Sequence, residues 1–202
     1  MFDLLTSLNR LIFTERDTEL TINHLNSSQT NSLYSPGSFN SFVYLTNYSD
    51  PVVKAAIKEN KFHNNKTASY ILGSWLNLWS KHQIDNTLYL PIPLSNKRKR
   101  VRGYNQVERI LNASDPTLQI DTTLLKRNKH TKPQVELGRE ERLNNLKGVF
   151  SFCPSKINLN NYQQIVIVDD VVTTGATLNE ARATIARDLP PHIKINCLAI
   201  AH

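Results

Sequence analysis

One short apolar run, IVIV at positions 165–168, limits the fold of this chain more than any other feature of its sequence. The run shows no alternation between apolar and polar residues, which is typical of a strand covered on both faces. Such strands belong to parallel sheets, and the chain alternates other short apolar runs with helical patterns. We therefore predict an α/β fold with a mainly parallel sheet and helices on both faces.

The remaining pattern predicts the other elements of this fold. Further strands are expected at 41–45, 87–93, 118–127, 146–152 and 193–201. Helices are expected at 4–12, 51–61, 66–82, 104–113 and from Gly175 or Ala176 to about Asp188. Residues 26–41 have the composition of a loop. Trp75 and Trp79, four residues apart, form a stripe that favours the core over a base-stacking surface. We interpret residues 1–38 as an N-terminal appendage and residues 39–202 as one domain.

Composition excludes several classes of protein. With 40% hydrophobic and 20% charged residues, the 202-residue chain is neither disordered nor collagen-like. No stretch approaches 18 apolar residues, so no membrane insertion is expected. Cys153 and Cys197 are too few for a disulfide framework or a four-thiolate zinc site, and no zinc is expected. Few thiols and an N-terminus without signal-peptide character indicate a cytoplasmic protein.

The positive charge is concentrated in one window. The chain has a net charge of +7, and residues 97–132 hold ten basic and three acidic residues, a net of +7. The rest of the chain therefore has a net charge of zero. As an isolated run, residues 96–102 (NKRKRVR) are typical of a solvated loop. After a strand end, the same run indicates a surface for diphosphate or a nucleic-acid backbone, read without sequence specificity.

The predicted strand at 164–170 ends in two adjacent carboxylates and a short polar turn. Asp169 and Asp170 are followed by Thr173, Thr174 and Gly175, and then by a helix. The N-terminus of a helix favours phosphate, and glycine lets the backbone approach it closely. The carboxylates would repel that anion, but they suit the vicinal hydroxyls of a ribose and a positive charge developing on it. The pattern therefore predicts a site for a ribose phosphate.

Three segments of the chain resemble a known family. The run VIVDDVVTTGAT resembles the phosphoribosyl-diphosphate signature of type I phosphoribosyltransferases. Residues 90–110 and 131–150 resemble two further segments of the ComF/GntX competence family, in the family's order. The resemblance covers roughly residues 42–202. It implies a type I phosphoribosyltransferase fold.

The resemblance also implies roles for individual residues. Asp169 and Asp170 would meet the ribose hydroxyls as the catalytic pair. The 5′-phosphate loop would consist of Thr173, Thr174, Gly175, Ala176 and Thr177. The side that binds diphosphate or nucleic acid would include Lys97, Arg98, Lys99, Arg100, Arg102, Gly103, Asn105, Gln106 and Arg139. Gln134, Leu137, Arg142 and Asn144 match the same pattern. Mg²⁺ would bind mainly through the oxygens of phosphoribosyl diphosphate.

The chain departs from the family in one respect. Members of the family often begin with a four-cysteine zinc ribbon, and residues 1–38 contain no cysteine. Any role that depends on the ribbon is therefore in doubt.

Three functions remain open from the sequence. The first is handling of imported single-stranded DNA during natural transformation, with phosphoribosyl diphosphate and Mg²⁺ bound. The second is an active phosphoribosyltransferase with an unknown nitrogen acceptor. The third is a non-catalytic regulator that senses a ribose phosphate. The fold alone does not decide between them, and the sequence leaves the oligomeric state open.

Overall fold

The computed structural model describes residues 16–128, 148–154 and 157–202. The strands among these residues are β1 (Gly37–Phe39), β2 (Phe42–Thr46), β3 (Thr87–Pro91), β4 (Gln119–Ile120), β5 (Leu125–Arg127), β6 (Phe150–Phe152), β7 (Gln164–Val171) and β8 (Lys194–Ala201). The helices are α1 (Asp17–Asn23), α2 (Ser27–Ser32), α3 (Pro51–His63), α4 (Lys66–Ser80), α5 (Asn96–Arg102), α6 (Gln106–Asn112) and α7 (Ala176–Ala186). A 3-10 turn spans Leu159–Asn161.

Six strands form one sheet in the order β1-β2-β8-β7-β3-β4. The β1–β2 hairpin is antiparallel, and every other pair in this sheet is parallel. Strand β7 lies inside the sheet, between β8 and β3, as the apolar run at 165–168 predicted. Strands β5 and β6 form a separate antiparallel pair. The mainly parallel α/β architecture is confirmed, whereas the type I phosphoribosyltransferase fold remains a prediction.

The two faces of the sheet pack against different helices. Because successive strand residues point to opposite faces, Val166 and Val168 of β7 join a core with α3, α4 and α6. Ile165 and Ile167 join a second core with α7 and the β5–β6 pair. Trp75 of α4 is fully buried in the first core, as the helical stripe predicted.

Local capping explains where the predicted helices begin. At the start of α3, the side chain of Asp50 accepts hydrogen bonds from the backbone N–H groups of Val52 and Val53, and Pro51 occupies the first turn. Asn65 caps α4 in the same way. These caps satisfy N–H groups that have no partner within the helix. Both predicted helices are confirmed.

The N-terminal part of the structure differs from the prediction of a loop at 26–41. Asn26 and Gln29 form a reciprocal capping box that begins α2. After this helix the chain enters the β1–β2 hairpin, where Asn40 and Ser41 adopt positive φ angles of 47° and 66°. Composition missed α2 because its start depends on hydrogen bonds of two single side chains. The predicted helix at 4–12 lies outside the described residues, and the division at residue 38 remains a prediction.

Two other predictions need correction. The expected strand at 118–127 is two strands, β4 and β5, because Asp121 turns the chain by accepting hydrogen bonds from the N–H groups of Thr123 and Leu124. The basic run at 96–102, which suggested a loop, is helix α5. Ser95 caps its start, and Gly103 ends it with a φ of 80°.

In the part of the chain that the structure describes, no helix combines the length and apolar character needed to cross a bilayer.

Candidate functional site

The candidate site lies at the edge of the sheet where the parallel strands β3 and β7 end. Pro91 pairs with Val168, and the N–H of Ile92 donates to the carbonyl of Val168 over 2.9 Å. Beyond this point, one chain segment leads to the basic helix α5 and the other to Asp169 and Asp170. The pairing of β3 with β7 therefore brings two distant segments of the chain to the edge at which open parallel sheets bind their ligands.

Asp170 is held by two side chains from other elements. Its Oδ2 lies 3.4 Å from Nζ of Lys61, at the end of α3, and accepts a hydrogen bond of 3.3 Å from Nε2 of Gln106. The carboxylate is buried. Gln106 also accepts a hydrogen bond from Arg102 through its own side-chain oxygen. Arg102, Gln106, Asp170 and Lys61 thus form a network in which donors and acceptors alternate. The buried carboxylate of Asp170 has a donor on each side within this network.

A second set of hydrogen bonds fixes the helices around this carboxylate. Nδ2 of Asn60 donates to the carbonyl of Gln106 over 3.1 Å, and the hydroxyl of Tyr104 donates to the carbonyl of Asn60 over 2.9 Å. Nδ2 of Asn105 donates to the carbonyl of Ile92 over 3.0 Å. These bonds join α3, α6 and the end of β3. They give Asn105 a positioning role in this structure.

Asp169 is half-buried and has different neighbours. Its Oδ1 accepts a hydrogen bond of 2.9 Å from the N–H of Asp170. Burial and the adjacent charge of Asp170 raise the pKa of Asp169 well above its ordinary value, and the more distant charge of Lys61 opposes this only in part. A carboxyl with a raised pKa can donate as well as accept hydrogen bonds, which suits a ribose hydroxyl or a proton transfer.

The turn between β7 and α7 combines threonine hydroxyls with a tightly packed glycine. Thr173 and Thr174 are exposed, and Thr177 lies half-buried in the first turn of α7. Gly175 adopts a φ of 74°, and a Cβ placed on it would lie 2.1 Å from the ring of Phe42. Glycine is therefore required here both by the backbone conformation and by space. The turn places the exposed hydroxyls of Thr173 and Thr174 and the start of α7 at the same edge as Asp169.

Helix α5 carries the positive charge. Lys97, Arg98, Lys99 and Arg100 are exposed. Within residues 16–128, 148–154 and 157–202, no cation of this helix forms an ion pair with a carboxylate. Arg102 is partly buried, and burial together with the charge of Arg98 lowers its pKa, against an opposing effect of Asp170.

Arg127 of β5 extends this positive surface. Burial lowers its pKa, the charge of Arg98 lowers it further, and Asp169 acts in the opposite direction. Arg127 is therefore close enough to both groups to interact with them electrostatically.

The comparison with curated proteins identifies the family. The chain is 34% identical to competence protein F of Haemophilus influenzae over 158 residues, which span 74% of this chain and 68% of that protein. The chain belongs to the competence protein F (ComF) family. It is also 29% identical to the DNA utilization protein YhgH of Escherichia coli and of Shigella flexneri, over 82% of this chain and 74% of each relative. No family model matches the chain.

In this ComF-family chain, the structure brings most of the predicted site residues to one edge of the sheet. They are Asp169, Asp170, the turn at 173–177 and the residues of α5 and the start of α6. Gln134, Leu137, Arg139, Arg142 and Asn144 lie outside the described residues. The roles assigned to all of these residues stay predictions.

Sequence reasoning missed two side chains of this site. Lys61 lies in the last turn of an ordinary amphipathic helix, and Phe42 opens a short strand, so neither carries a local signal. Tertiary packing alone places Lys61 against Asp170 and Phe42 beneath Gly175.

Proposed function

We propose that this ComF-family protein binds phosphoribosyl diphosphate, or a related ribose 5-phosphate, together with Mg²⁺, and takes part in handling imported single-stranded DNA. The observation that carries the proposal is the meeting of a turn with threonines and a glycine, two carboxylates and an exposed basic helix at one edge of the sheet. The names of the relatives, competence protein F and DNA utilization protein, support the DNA part.

The phosphate would bind at the turn after β7. Its partners would be the hydroxyls of Thr173, Thr174 and Thr177 and the N–H groups at the start of α7. Because Gly175 packs against Phe42, the turn is held in place before a ligand arrives. Such preorganisation reduces the entropy lost on binding.

The two carboxylates suit a ribose and a metal ion that is also coordinated by other ligands. Mg²⁺ is usually bound through one or two carboxylates together with substrate phosphates. Asp170 is already occupied by Lys61 and Gln106, which leaves Asp169 as the carboxyl with more freedom to meet Mg²⁺ or a hydroxyl. When bound, the metal would neutralise charge on the diphosphate.

A binding titration tests the ligand. We expect heat and a rise in melting temperature when phosphoribosyl diphosphate and Mg²⁺ are added, and competition by ribose 5-phosphate. Thr177→Ala should weaken binding by about 1–3 kcal/mol, because a hydroxyl loses a hydrogen bond to a charged partner. Thr117→Ala, which replaces a threonine before β4, is the matched control. No heat and no melting shift at millimolar ligand would contradict the proposal.

A salt titration tests the DNA part. A labelled single-stranded oligonucleotide should bind weakly and without sequence preference, with an affinity that falls as salt rises. The slope of log affinity against log salt is about −0.7 per phosphate contacted, so replacing Lys97, Arg98, Lys99 and Arg100 with Ala should make it shallower by up to about 3 units.

The matched control for the salt titration removes the same charge elsewhere, from Lys58, Lys81, Arg187 and Lys194, which are all exposed. In this control variant, the slope of log affinity against log salt should stay close to that of the wild type. Equal slopes for the wild type and the α5 variant would exclude α5 from DNA binding.

A second candidate function is transfer of the phosphoribosyl group to a nitrogen nucleophile. The raised pKa of Asp169 favours it, because a carboxyl that titrates nearer neutrality is a better general base. Release of diphosphate that depends on an added nitrogen acceptor, and that is lost in Asp169→Asn, would establish this function.

A further inference from the structure

Phe62 is an exposed aromatic side chain beside the basic helix. It lies in the last turn of α3, next to Lys61, and remains 61% exposed. The guanidinium of Arg102 lies 5.4 Å from the centre of its ring, and Nζ of Lys61 lies 5.9 Å from it. An exposed ring beside two cations contributes little to the core, and it offers apolar and cationic contacts to a ligand that has both apolar and anionic parts.

Single-stranded DNA has that chemistry. Proteins that bind it without sequence preference combine a positive groove along the backbone with aromatic rings on which bases stack. Here α5 supplies exposed cations, and Val101 of the same helix is 85% exposed. Arg102 connects the two parts, because its side chain belongs to α5 and lies over the ring of Phe62.

Two other aromatic side chains near the first core, Trp75 and Tyr104, are poorly placed for stacking. The indole of Trp75 is buried and donates its N–H to the carbonyl of Thr30. The hydroxyl of Tyr104 bonds to Asn60 and accepts from the N–H of Asn64, and Arg109 lies over its ring. Of these three side chains, Phe62 is the one that combines exposure with neighbouring cations.

We infer that Phe62, together with Arg102, is a stacking platform for an unpaired base of single-stranded DNA whose phosphates contact α5. The inference rests on the DNA binding proposed above, and it adds a base contact to a surface otherwise defined by charge. Lys61 links the platform to the ligand site, because the same ammonium lies 3.4 Å from Asp170.

The experiment compares two oligonucleotides of equal length and charge, one with normal bases and one abasic. Their affinities are measured by fluorescence anisotropy at several salt concentrations for the wild type, Phe62→Ala, Phe62→Trp and Tyr70→Ala. Tyr70 is the matched control, because it is an exposed aromatic on α4 and the described residues place no cation over its ring.

We expect Phe62→Ala to weaken binding of the normal oligonucleotide about 5- to 100-fold, the range that loss of one stacked base produces. Its affinity for the abasic oligonucleotide and its salt slope should stay unchanged, because no cation is removed. Phe62→Trp should retain affinity, and its emission should be quenched by the normal oligonucleotide and not by the abasic one. Tyr70→Ala should behave as the wild type.

Several results would overturn the inference. Equal binding of the normal oligonucleotide by wild type and Phe62→Ala would do so while leaving DNA binding by α5 intact. An equal loss for both oligonucleotides would show that Phe62 supports the backbone contacts or the fold. If Phe62→Ala does not fold, absence of quenching in Phe62→Trp decides against the platform. Failure of the wild type to bind either oligonucleotide at low salt would remove the DNA proposal together with the platform.

Discussion

The two sides of the candidate site are built differently. On the β7 side, Asp170 is buried and held by Lys61 and Gln106, and Gly175 packs tightly against Phe42. On the α5 side, a seven-residue helix holds four consecutive exposed cations. The first side is fixed by tertiary contacts, whereas the second is fixed mainly by its own caps.

This difference suits two kinds of ligand. A small ribose phosphate needs several groups held at fixed positions, which buried contacts provide. A flexible nucleic-acid backbone needs charge that can follow it, and exposed side chains provide that without a fixed geometry. Substitutions on the β7 side should therefore alter stability strongly, and substitutions on α5 should alter it little. Four measurements of the free energy of unfolding, by urea denaturation, test this comparison.

The largest effect is expected at Gly175. Gly175→Ala should destabilise the protein by about 2–4 kcal/mol, because it adds a left-handed backbone cost to a collision with Phe42. Gly103→Ala is the matched control. Gly103 has a φ of 80°, but no atom lies within 4 Å of the position that its new methyl group would occupy, so only the backbone cost of about 1–2 kcal/mol applies. Equal costs at both glycines would show that Phe42 moves freely.

The next effect concerns the cation beside the buried carboxylate. Lys61→Met should cost about 1–3 kcal/mol, because the buried carboxylate of Asp170 would lose its ionic partner. Lys58→Met, at an exposed position on the same helix, should stay within about 0.5 kcal/mol. Adding Asp170→Asn to Lys61→Met should recover part of the loss. A double variant whose cost equals the sum of the single costs would contradict the coupling.

A smaller effect of opposite sign is expected at Asp169. Folding raises the pKa of this carboxyl, so its ionisation lowers the stability of the folded protein. This loss of stability is absent below the unfolded pKa of about 3.9. It develops as pH rises through the folded pKa. Asp169→Asn should therefore be more stable than the wild type at neutral pH, by more than the roughly 0.5 kcal/mol of a surface change. The difference in stability between Asp169→Asn and the wild type should disappear as the pH is lowered. Equal stabilities from pH 3 to 8 would show that Asp169 ionises without penalty.

The smallest effect is expected on α5. Replacing Lys97, Arg98, Lys99 and Arg100 with Ala should change stability by no more than about 0.5 kcal/mol, because the side chains are exposed and alanine favours helices. Removing Arg98 also relieves its repulsion of Arg127. A loss above about 2 kcal/mol would mean that α5 is held by contacts comparable to those on the β7 side.

The sequence alone was sufficient for the features that depend on local pattern. The apolar run at 165–168 predicted an interior parallel strand, and the turn after it was expected to lead into a helix, which is α7. Phosphate binding by that turn stays a prediction. Asp50 and Pro51 marked the start of α3. These signals lie within a few residues of one another, so propensity, periodicity and capping express them directly.

The tertiary structure alone decided which distant residues complete the site. The last turn of α3 places Lys61 against Asp170 and Phe62 beside Arg102, and the β1–β2 hairpin places Phe42 beneath Gly175. None of these side chains has a local pattern that differs from an ordinary helix or strand residue. Their proximity follows from the parallel order of β3, β7 and β8 and from the way α3 packs on that sheet, which are contacts between segments far apart in the sequence.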